Sequence, residues 1–386
     1  MYDLVVRNGT VIDPSQGINE KMDVAVIGTR IDSIERNIPS SSAARVIDAS
    51  GLLVFPGLVD IHTHVAAGLA GLCVEADIHC LPKGVTTAVD AGSTGHLLHR
   101  AFIDRVVSNS KTRLLAFLNI ESLGMIESAR TGKEWSSERW AELITISNGR
   151  YDEWFVNLEE TIAAIRENSS ALVGIKWAHH TLNTFRLARK AADIARTRLM
   201  AENHQMPEGM KYVRKGDILT HIFHNYYNRL AGGYDGLLED GEIRQEFFTA
   251  YRKGVIFDIG HGRSSFSWDV AEKAMAEGLK PHTISTDIWR ENVGSPVRNL
   301  PYVMSKMLCA GMSIEEIVAA STVTPARVIG MERVIGSLKP GMAADISIFR
   351  LETGRFIFED SYGRKRKGSR MLRVKSVISN GTLLSS

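Results

Sequence analysis

The feature that most constrains the fold is a series of eight short apolar runs, separated by segments of helical character. Short continuous apolar runs are typical of strands that are buried on both faces, and strands that alternate with helices form parallel sheets. Eight such units are the number that closes a (β/α)8 barrel. The sequence therefore predicts an α/β protein built on a TIM barrel. The runs are Leu53–Ile61, Val85–Asp90, Leu114–Ile120, Leu172–Lys176, Leu199–Asn203, Ile218–His221, Val255–Ile259 and Thr283–Asp287.

The two ends of the chain differ from its middle, because short strand-like segments follow one another there without helices between them. The pairs Asn8–Gly9 and Asn380–Gly381 are hairpin-type turn signals near the two termini. The simplest arrangement is one small β-sandwich domain, built from both termini, beside the barrel. We predict residues 1–52 plus 336–386 for the β-sandwich domain and residues 53–335 for the barrel.

Composition excludes several classes of function. The 386 residues carry a formal net charge of +2, which is unlike the basic surface of a nucleic-acid-binding protein. No stretch of about 18 apolar residues predicts a membrane helix, and residues 1–10 do not resemble a signal peptide. Three cysteines in no zinc-type spacing argue against a disulfide framework. We expect a cytoplasmic protein with a small-molecule substrate, and assembly into a homo-oligomer stays open.

The first barrel run ends in the sequence Asp60-Ile61-His62-Thr63-His64. Residues two apart on a strand point to the same face, so His62 and His64 converge. In a (β/α)8 barrel, the carboxyl ends of the strands carry the active site. Two imidazoles that face one point are suited to zinc or a similar divalent ion. The pattern therefore predicts a metal site that begins with this pair.

Two further runs end in charged side chains. Lys176 closes the fourth run, where a buried ammonium is costly unless it is paired. Either it forms a salt bridge or extends to solvent, or it is carboxylated by carbon dioxide to an anion that can bridge two metal ions. Asp287 closes the eighth run and could be a metal ligand, a general base or a helix cap.

Histidines follow the fifth, sixth and seventh runs. His204 and His221 could each be a ligand or a hydrogen-bonded structural residue, and His224 lies three residues beyond His221. His261 lies in a glycine-rich turn that could bring it over the barrel mouth. His224, His261 and Arg263 are candidates to bind a substrate carboxylate, although Arg263 could equally be a surface residue.

With these residues in place, the chain resembles the amidohydrolase superfamily. The motif from Pro56 to His64, the segment Thr322-Val323-Thr324-Pro325-Ala326 and the closing segment Gly341–Ile346 carry the resemblance. It implies two divalent metal ions, with zinc as the expected ion, and a carboxylated Lys176 that bridges them. It also implies that His62 and His64 bind the first ion and that Asp287 both ligates this ion and shuttles protons. His204 and His221 would hold the second ion, although the stretch Glu202-Asn203-His204 departs from many relatives, which have apolar residues before the histidine.

The resemblance further implies a function. The stretches Gly216–His224 and Asp258–Gly262 resemble a deacetylase-like branch. We therefore expect hydrolysis of an amide or ester bond in a small acylated amino or hydroxy acid, by a hydroxide that bridges two metal ions. A cyclic amide hydrolase of the dihydroorotase type is the alternative, but Val65–Leu72 lacks the arginine and asparagine that such enzymes place there. A deaminase is a weaker alternative, and a non-catalytic scaffold would lack ligands that are present here.

Overall fold

The computed structural model describes residues 1–125, 155–178, 182–203, 208–228 and 233–384, with the backbone alone at residues 226–228 and 233–235. The described strands are β1 (Tyr2–Asp13), β2 (Ile18–Ile27), β3 (Arg30–Glu35), β4 (Ala43–Asp48), β5 (Leu53–Pro56), β6 (Leu58–Thr63), β7 (Val85–Ala91), β8 (Arg113–Asn119), β9 (Leu172–Trp177), β10 (Arg198–Glu202), β11 (Ile218–Thr220), β12 (Tyr226–Asn228), β13 (Gly233–Asp235), β14 (Leu238–Glu239), β15 (Glu242–Ile243), β16 (Ile256–Phe257), β17 (Ile346–Glu359), β18 (Lys365–Ser379) and β19 (Thr382–Leu383).

The described helices lie between and after the barrel strands, where the sequence predicts helical segments. Asn157 caps the third of them by accepting a hydrogen bond from the Glu160 amide, and a capping box between Ser313 and Glu316 begins the eighth. None of the helices within the described part of the chain combines the length and apolar character that crossing a bilayer requires. The helices are α1 (Ala76–His79), α2 (His99–Ala101), α3 (Leu158–Glu167), α4 (Leu182–Ala195), α5 (Gln245–Arg252), α6 (Trp268–Ala276), α7 (Leu300–Cys309), α8 (Ile314–Ala319) and α9 (Val323–Val328).

A sheet of eight strands joins the two ends of the chain. Its order is β19-β18-β17-β5-β1-β2-β3, and β4 pairs with β1. Asn380–Gly381 forms the predicted two-residue turn between β18 and β19, with both residues at positive φ. The prediction of a hairpin turn at Asn8–Gly9 is wrong. Here β1 continues through a bulge, because the Asp23 carboxylate accepts the Asn8 amide hydrogen while Asn8 adopts a φ of 63°.

Seven parallel strands form most of the barrel, in the order β16-β11-β10-β9-β8-β7-β6. The eighth predicted run, Thr283–Asp287, closes the ring without being a regular strand. It is bridged to Asp258 on one side and, through Ile288, to Thr63 on the other. The Asp287 amide donates to the His62 carbonyl at 2.7 Å, so the first and last barrel segments meet at the edge that carries His62. The predicted (β/α)8 barrel with a β-sheet unit from both termini is confirmed.

The first predicted barrel strand is divided in the structure. Leu53–Pro56 pairs with β1 and β17 in the terminal sheet, and only Leu58–Thr63 pairs within the barrel. The division occurs at Gly57, where the chain passes from one sheet to the other. The boundary that we predict between residues 52 and 53 stays a prediction.

Alternation along the barrel strands separates two apolar layers. Met200 packs with residues inside the barrel, such as Ile61 and Phe117, whereas Leu199 and Ala201 pack against the surrounding helices. The residues inside the barrel are packed on the side where the strands begin, since Ala326 and Val328 of α9 join their cluster. The polar strand ends are therefore left at the opposite edge.

Candidate active site

Polar side chains from the first, sixth and eighth barrel segments converge at this edge. One ligand-type atom from each of His62, His221 and Asp287 lies within 4.8 Å of the others, and all three residues are buried. They come from chain positions more than 60 residues apart, and only the closed barrel brings them together. We call these three residues the central cluster.

The protonation of His62 is set by a chain of hydrogen bonds behind it. Asp258 accepts hydrogen bonds of 2.7 Å from the hydroxyls of Thr220, Thr283 and Ser285. Because Thr220 directs its proton to Asp258, its oxygen must accept from Nδ1 of His62, at 2.8 Å. This leaves the Nε2 lone pair of His62 directed at the cluster. Burial, and then the positive charge of Lys176, hold the pKa of His62 well below its usual range.

His221 is oriented in a similar way. Its Nδ1 lies 2.6 Å from the Gly260 carbonyl oxygen, which can only accept, so Nδ1 carries the proton in the neutral ring. Nε2 therefore faces Glu202 Oε1, at 3.6 Å. Burial alone would lower the pKa of His221, but the hydrogen bond and negative charge of Glu202 raise it above its ordinary value.

Asp287 contacts both histidines of the first strand. Its Oδ1 lies 3.0 Å from Nε2 of His64 and 3.4 Å from Nε2 of His62. On the other side of the carboxylate, a Cβ on Gly262 would come within 2.5 Å of Oδ2, so glycine leaves the room that this oxygen occupies. His64 is held from behind by a 2.8 Å hydrogen bond between Nδ1 and Ser93 Oγ.

Lys176 ends in the same space, fully buried at the end of β9. Its Nζ lies 3.4 Å from Nε2 of His62 and 3.4 Å from Oε1 of Glu202. Glu202 is not among the site residues that the sequence predicts. The signal that could have found it is its position, because it is the charged residue that closes the apolar run of the fifth strand, two residues after the inward-facing Met200.

Among the described residues, the predicted substrate-binding residues His224, His261 and Arg263 lie outside the central cluster. His204 lies outside the described residues. His224 is buried and its Nε2 bonds to the Asn203 carbonyl, next to the end of β10. Arg263 is an exposed side chain that forms an ion pair with Glu291.

His261 is buried behind the site, and both of its ring nitrogens have protein partners. Nδ1 lies 2.9 Å from the Gly262 carbonyl and Nε2 lies 2.7 Å from Nζ of Lys306. Lys306, on α7, also donates to the carbonyls of Pro296 and Glu359, and burial lowers the pKa of this lysine to about 7. Lys306 is not predicted from the sequence, because nothing in α7 marks this lysine as facing a turn 45 residues earlier.

The donor set fits a divalent metal ion. The first strand and the central cluster offer imidazole Nε2 lone pairs and a carboxylate oxygen, which are the groups that bind zinc in proteins. The ring orientations are fixed by Thr220 with Asp258 and by the Gly260 carbonyl, as is usual for metal-ligating histidines. His62, His64, Asp287 and His221 are thus placed where they could hold a divalent ion, and Nζ of Lys176 lies beside them.

Replacement of Thr220 tests the support behind His62. The Thr220→Val protein should bind zinc about 10–100-fold more weakly, because the hydroxyl that fixes the His62 tautomer is lost while the side-chain volume is kept. Competition of Zn²⁺ between the protein and a chelator measures the change. Thr322→Val is the matched control, because it removes a buried hydroxyl that bonds only to a helix carbonyl. Equal affinities in the two variants would contradict this role for Thr220.

Comparison with known proteins identifies the family of this chain. The amidohydrolase family model matches residues 261–384. A deacetylase of Agrobacterium fabrum is 30% identical over 97% of this chain and 90% of its own length. The chain belongs to the amidohydrolase family. A solved structure called an adenine deaminase matches this amidohydrolase with a TM-score of 0.85 and 29% identity, over 100% of both chains. A solved structure called a dihydroorotase matches with a TM-score of 0.85 and 26% identity, over 100% of this chain and 98% of its own.

The resemblance seen in the sequence is therefore confirmed, and the amidohydrolase is an enzyme that hydrolyses C–N bonds. Divalent metal ions are in general use in this family, and the central cluster of His62, His221 and Asp287 fits them. The role of each site residue in this amidohydrolase stays a prediction.

Proposed function

We propose that this amidohydrolase is a deacetylase-type enzyme that cleaves the amide or ester bond of a small acylated amino or hydroxy acid. The observation that carries the proposal is the buried contact of the Asp287 carboxylate with both first-strand histidines. The likeness to a deacetylase along nearly the whole chain supports the reaction type.

The residues present could hold two divalent ions, with zinc as the expected ion. His62, His64 and Asp287 would bind the first, His221 would bind the second, and Lys176, carboxylated at Nζ, would bridge them. The ions would supply Lewis acidity, which makes a water molecule easier to deprotonate at neutral pH and polarises the scissile carbonyl. Omission of bicarbonate during metal loading should lower the metal content if Lys176 is carboxylated.

Asp287 moves the proton in this proposal. Oδ1 is directed at the two imidazoles, and Oδ2 lies beside Gly262. The carboxylate would accept a proton from the hydrolytic water during attack and deliver it to the leaving nitrogen or oxygen. His62 and His221 would stay neutral as ligands, since their Nδ1 protons are held by Thr220 and by the Gly260 carbonyl.

Arg263 is the proposed partner of the substrate carboxylate. It follows Gly262, whose backbone lies against Asp287, and its guanidinium already pairs with the Glu291 carboxylate. A substrate carboxylate could take over this interaction in a charge-assisted bond without leaving the guanidinium unpaired. His224 and His261, which bond to the Asn203 carbonyl and to Lys306, would support the loops around the substrate.

A cyclic amide hydrolase is the second candidate, because a structure called a dihydroorotase matches the whole chain. The segment after His64 argues against it. Residues 65–72 contain alanine, glycine, valine and leucine only, so no side chain there can clamp a carboxylate.

A substrate screen tests the proposal. Zinc-loaded protein should hydrolyse an N-acetyl amino acid or an O-acetyl hydroxy acid with a kcat/KM at least about tenfold above that for dihydroorotate or adenine. Release of acetate and ring opening of dihydroorotate are followed in parallel. The reverse order of activities would replace the proposed reaction by the cyclic amide reaction or the deamination.

A further inference from the structure

Glu202 is a buried carboxylate at the centre of the site, and the sequence-based ligand set does not use it. It closes β10 and is 3% exposed. Met200, two residues earlier, packs inside the barrel, and Ala201 between them packs against the helices. The alternation of a strand therefore directs Glu202 inward, toward the barrel mouth.

The Glu202 carboxylate lies among the side chains that would hold the second ion. Oε1 is 3.4 Å from Nζ of Lys176 and 3.6 Å from Nε2 of His221. Nζ of Lys176 is in turn 3.4 Å from Nε2 of His62. Glu202 thus reaches the central cluster from the fifth strand, the strand to which the sequence analysis gave the ligand His204.

Oε1 of Glu202 and Nε2 of His221 are spaced like two ligand atoms of one metal ion. Nδ1 of His221 bonds to the Gly260 carbonyl, so Nε2 is the ring nitrogen on the side of Glu202. Two ligand atoms of one tetrahedral zinc ion lie about 3.3 Å apart, which is close to the 3.6 Å found here. One divalent cation could therefore bind both atoms.

We propose that Glu202, rather than His204, is the ligand that the fifth barrel strand supplies to the second ion. This rests on the proposed two-ion site and sharpens its ligand set. The second ion is then held by a carboxylate and the His221 imidazole, together with Lys176. Glu202 also adds a negative charge beside Lys176, so a carboxylated Lys176 and Glu202 would repel each other unless a cation lay between them.

A simple ion pair between Glu202 and Lys176 is the competing explanation of the same contact. The two explanations differ for a histidine at position 202. An imidazole there can ligate a metal ion, but it cannot neutralise Lys176. The Glu202→His variant therefore separates a ligand from a charge partner, and Glu202→Gln removes both abilities at nearly constant volume.

The experiment measures the zinc content of the full chain, loaded with Zn²⁺ and then dialysed against metal-free buffer. We expect Glu202→Gln to retain about one equivalent of zinc less than the unmodified protein, since one ligand of the second ion is lost. Glu202→His and His204→Gln should both retain the content of the unmodified protein. Melting curves in EDTA identify variants that fold, because metal does not contribute to stability there.

Three results would overturn the proposal. An undiminished zinc content in folded Glu202→Gln would show that the carboxylate is not a ligand. Loss of zinc in Glu202→His would mean that Glu202 acts only as a charge partner of Lys176. Loss of zinc in His204→Gln would mean that His204 is the ligand. If Glu202→Gln fails to fold, the zinc contents of Glu202→His and His204→Gln still show whether Glu202 or His204 is the ligand. Failure of the proposed function alone looks different: the unmodified protein and its variants would then hold zinc as expected above, but the unmodified protein would release no acetate.

Discussion

The Asp287→Asn protein should keep its metal and lose hydrolysis, with kcat reduced by about 10²–10⁴-fold. Asparagine retains an oxygen where Oδ1 lies 3.0 Å from His64 and 3.4 Å from His62, so binding of the first ion should persist. The amide cannot accept a proton at neutral pH, so the step from water to leaving group loses its carrier. Metal analysis and initial rates with an N-acetyl amino acid, measured on the same sample, check both parts.

The control for this variant is Asp269→Asn, which makes the same chemical change at a half-exposed carboxylate. Asp269 pairs with Arg364 and Arg366 on the surface, and surface pairs of this kind contribute little. Its kcat should stay within about twofold of the unmodified protein. Near-normal turnover in a metal-loaded Asp287→Asn protein would remove Asp287 from the proton transfer and leave it a ligand at most.

The barrel and the location of its site could be predicted from the sequence because both depend on local pattern. Buried parallel strands are apolar for most of their length, and a polar residue is tolerated where the strand ends. Lys176, His221 and Asp287 stand out for this reason, and the structure brings all three to one edge of the barrel. The eighth run was recognisable by composition alone, although it pairs only through isolated bridges.

The features that the sequence did not reveal depend on contacts between distant segments. The bulge at Asn8 exists because Asp23 of the next strand accepts the Asn8 amide hydrogen, and the same Asn-Gly pair would form a hairpin turn without it. In the sequence, Glu202 is only a charged residue at the end of a strand, and its contacts with Lys176 and His221 become visible only in the structure. In the sequence, Lys306 is a single lysine on an apolar helix. Only the structure shows that His261 and two backbone carbonyls surround its ammonium group.

Gly260 depends on both local pattern and distant contacts. The sequence shows that it lies in a glycine-rich turn, but it does not show which side chains of other strands pack against it. Its φ is +47°, a conformation that is costly for residues with a side chain. A Cβ at this position would lie 2.2 Å from Thr220 Oγ1, 2.8 Å from Nδ1 of His221 and 3.0 Å from Nδ1 of His62. These three atoms make the hydrogen bonds that fix both imidazoles.

We therefore expect Gly260→Ala to lower the free energy of unfolding by about 2–5 kcal/mol, from backbone strain and overpacking together. It should also weaken zinc binding, since both imidazoles must shift to admit the methyl group. Gly278→Ala is the matched control, because φ is +89° there and no heavy atom lies within 4 Å of the added Cβ. The control should lose only the strain, about 1–2 kcal/mol, and keep its zinc. Equal losses of stability and zinc in the two variants would mean that close packing at Gly260 does not hold the histidines in place.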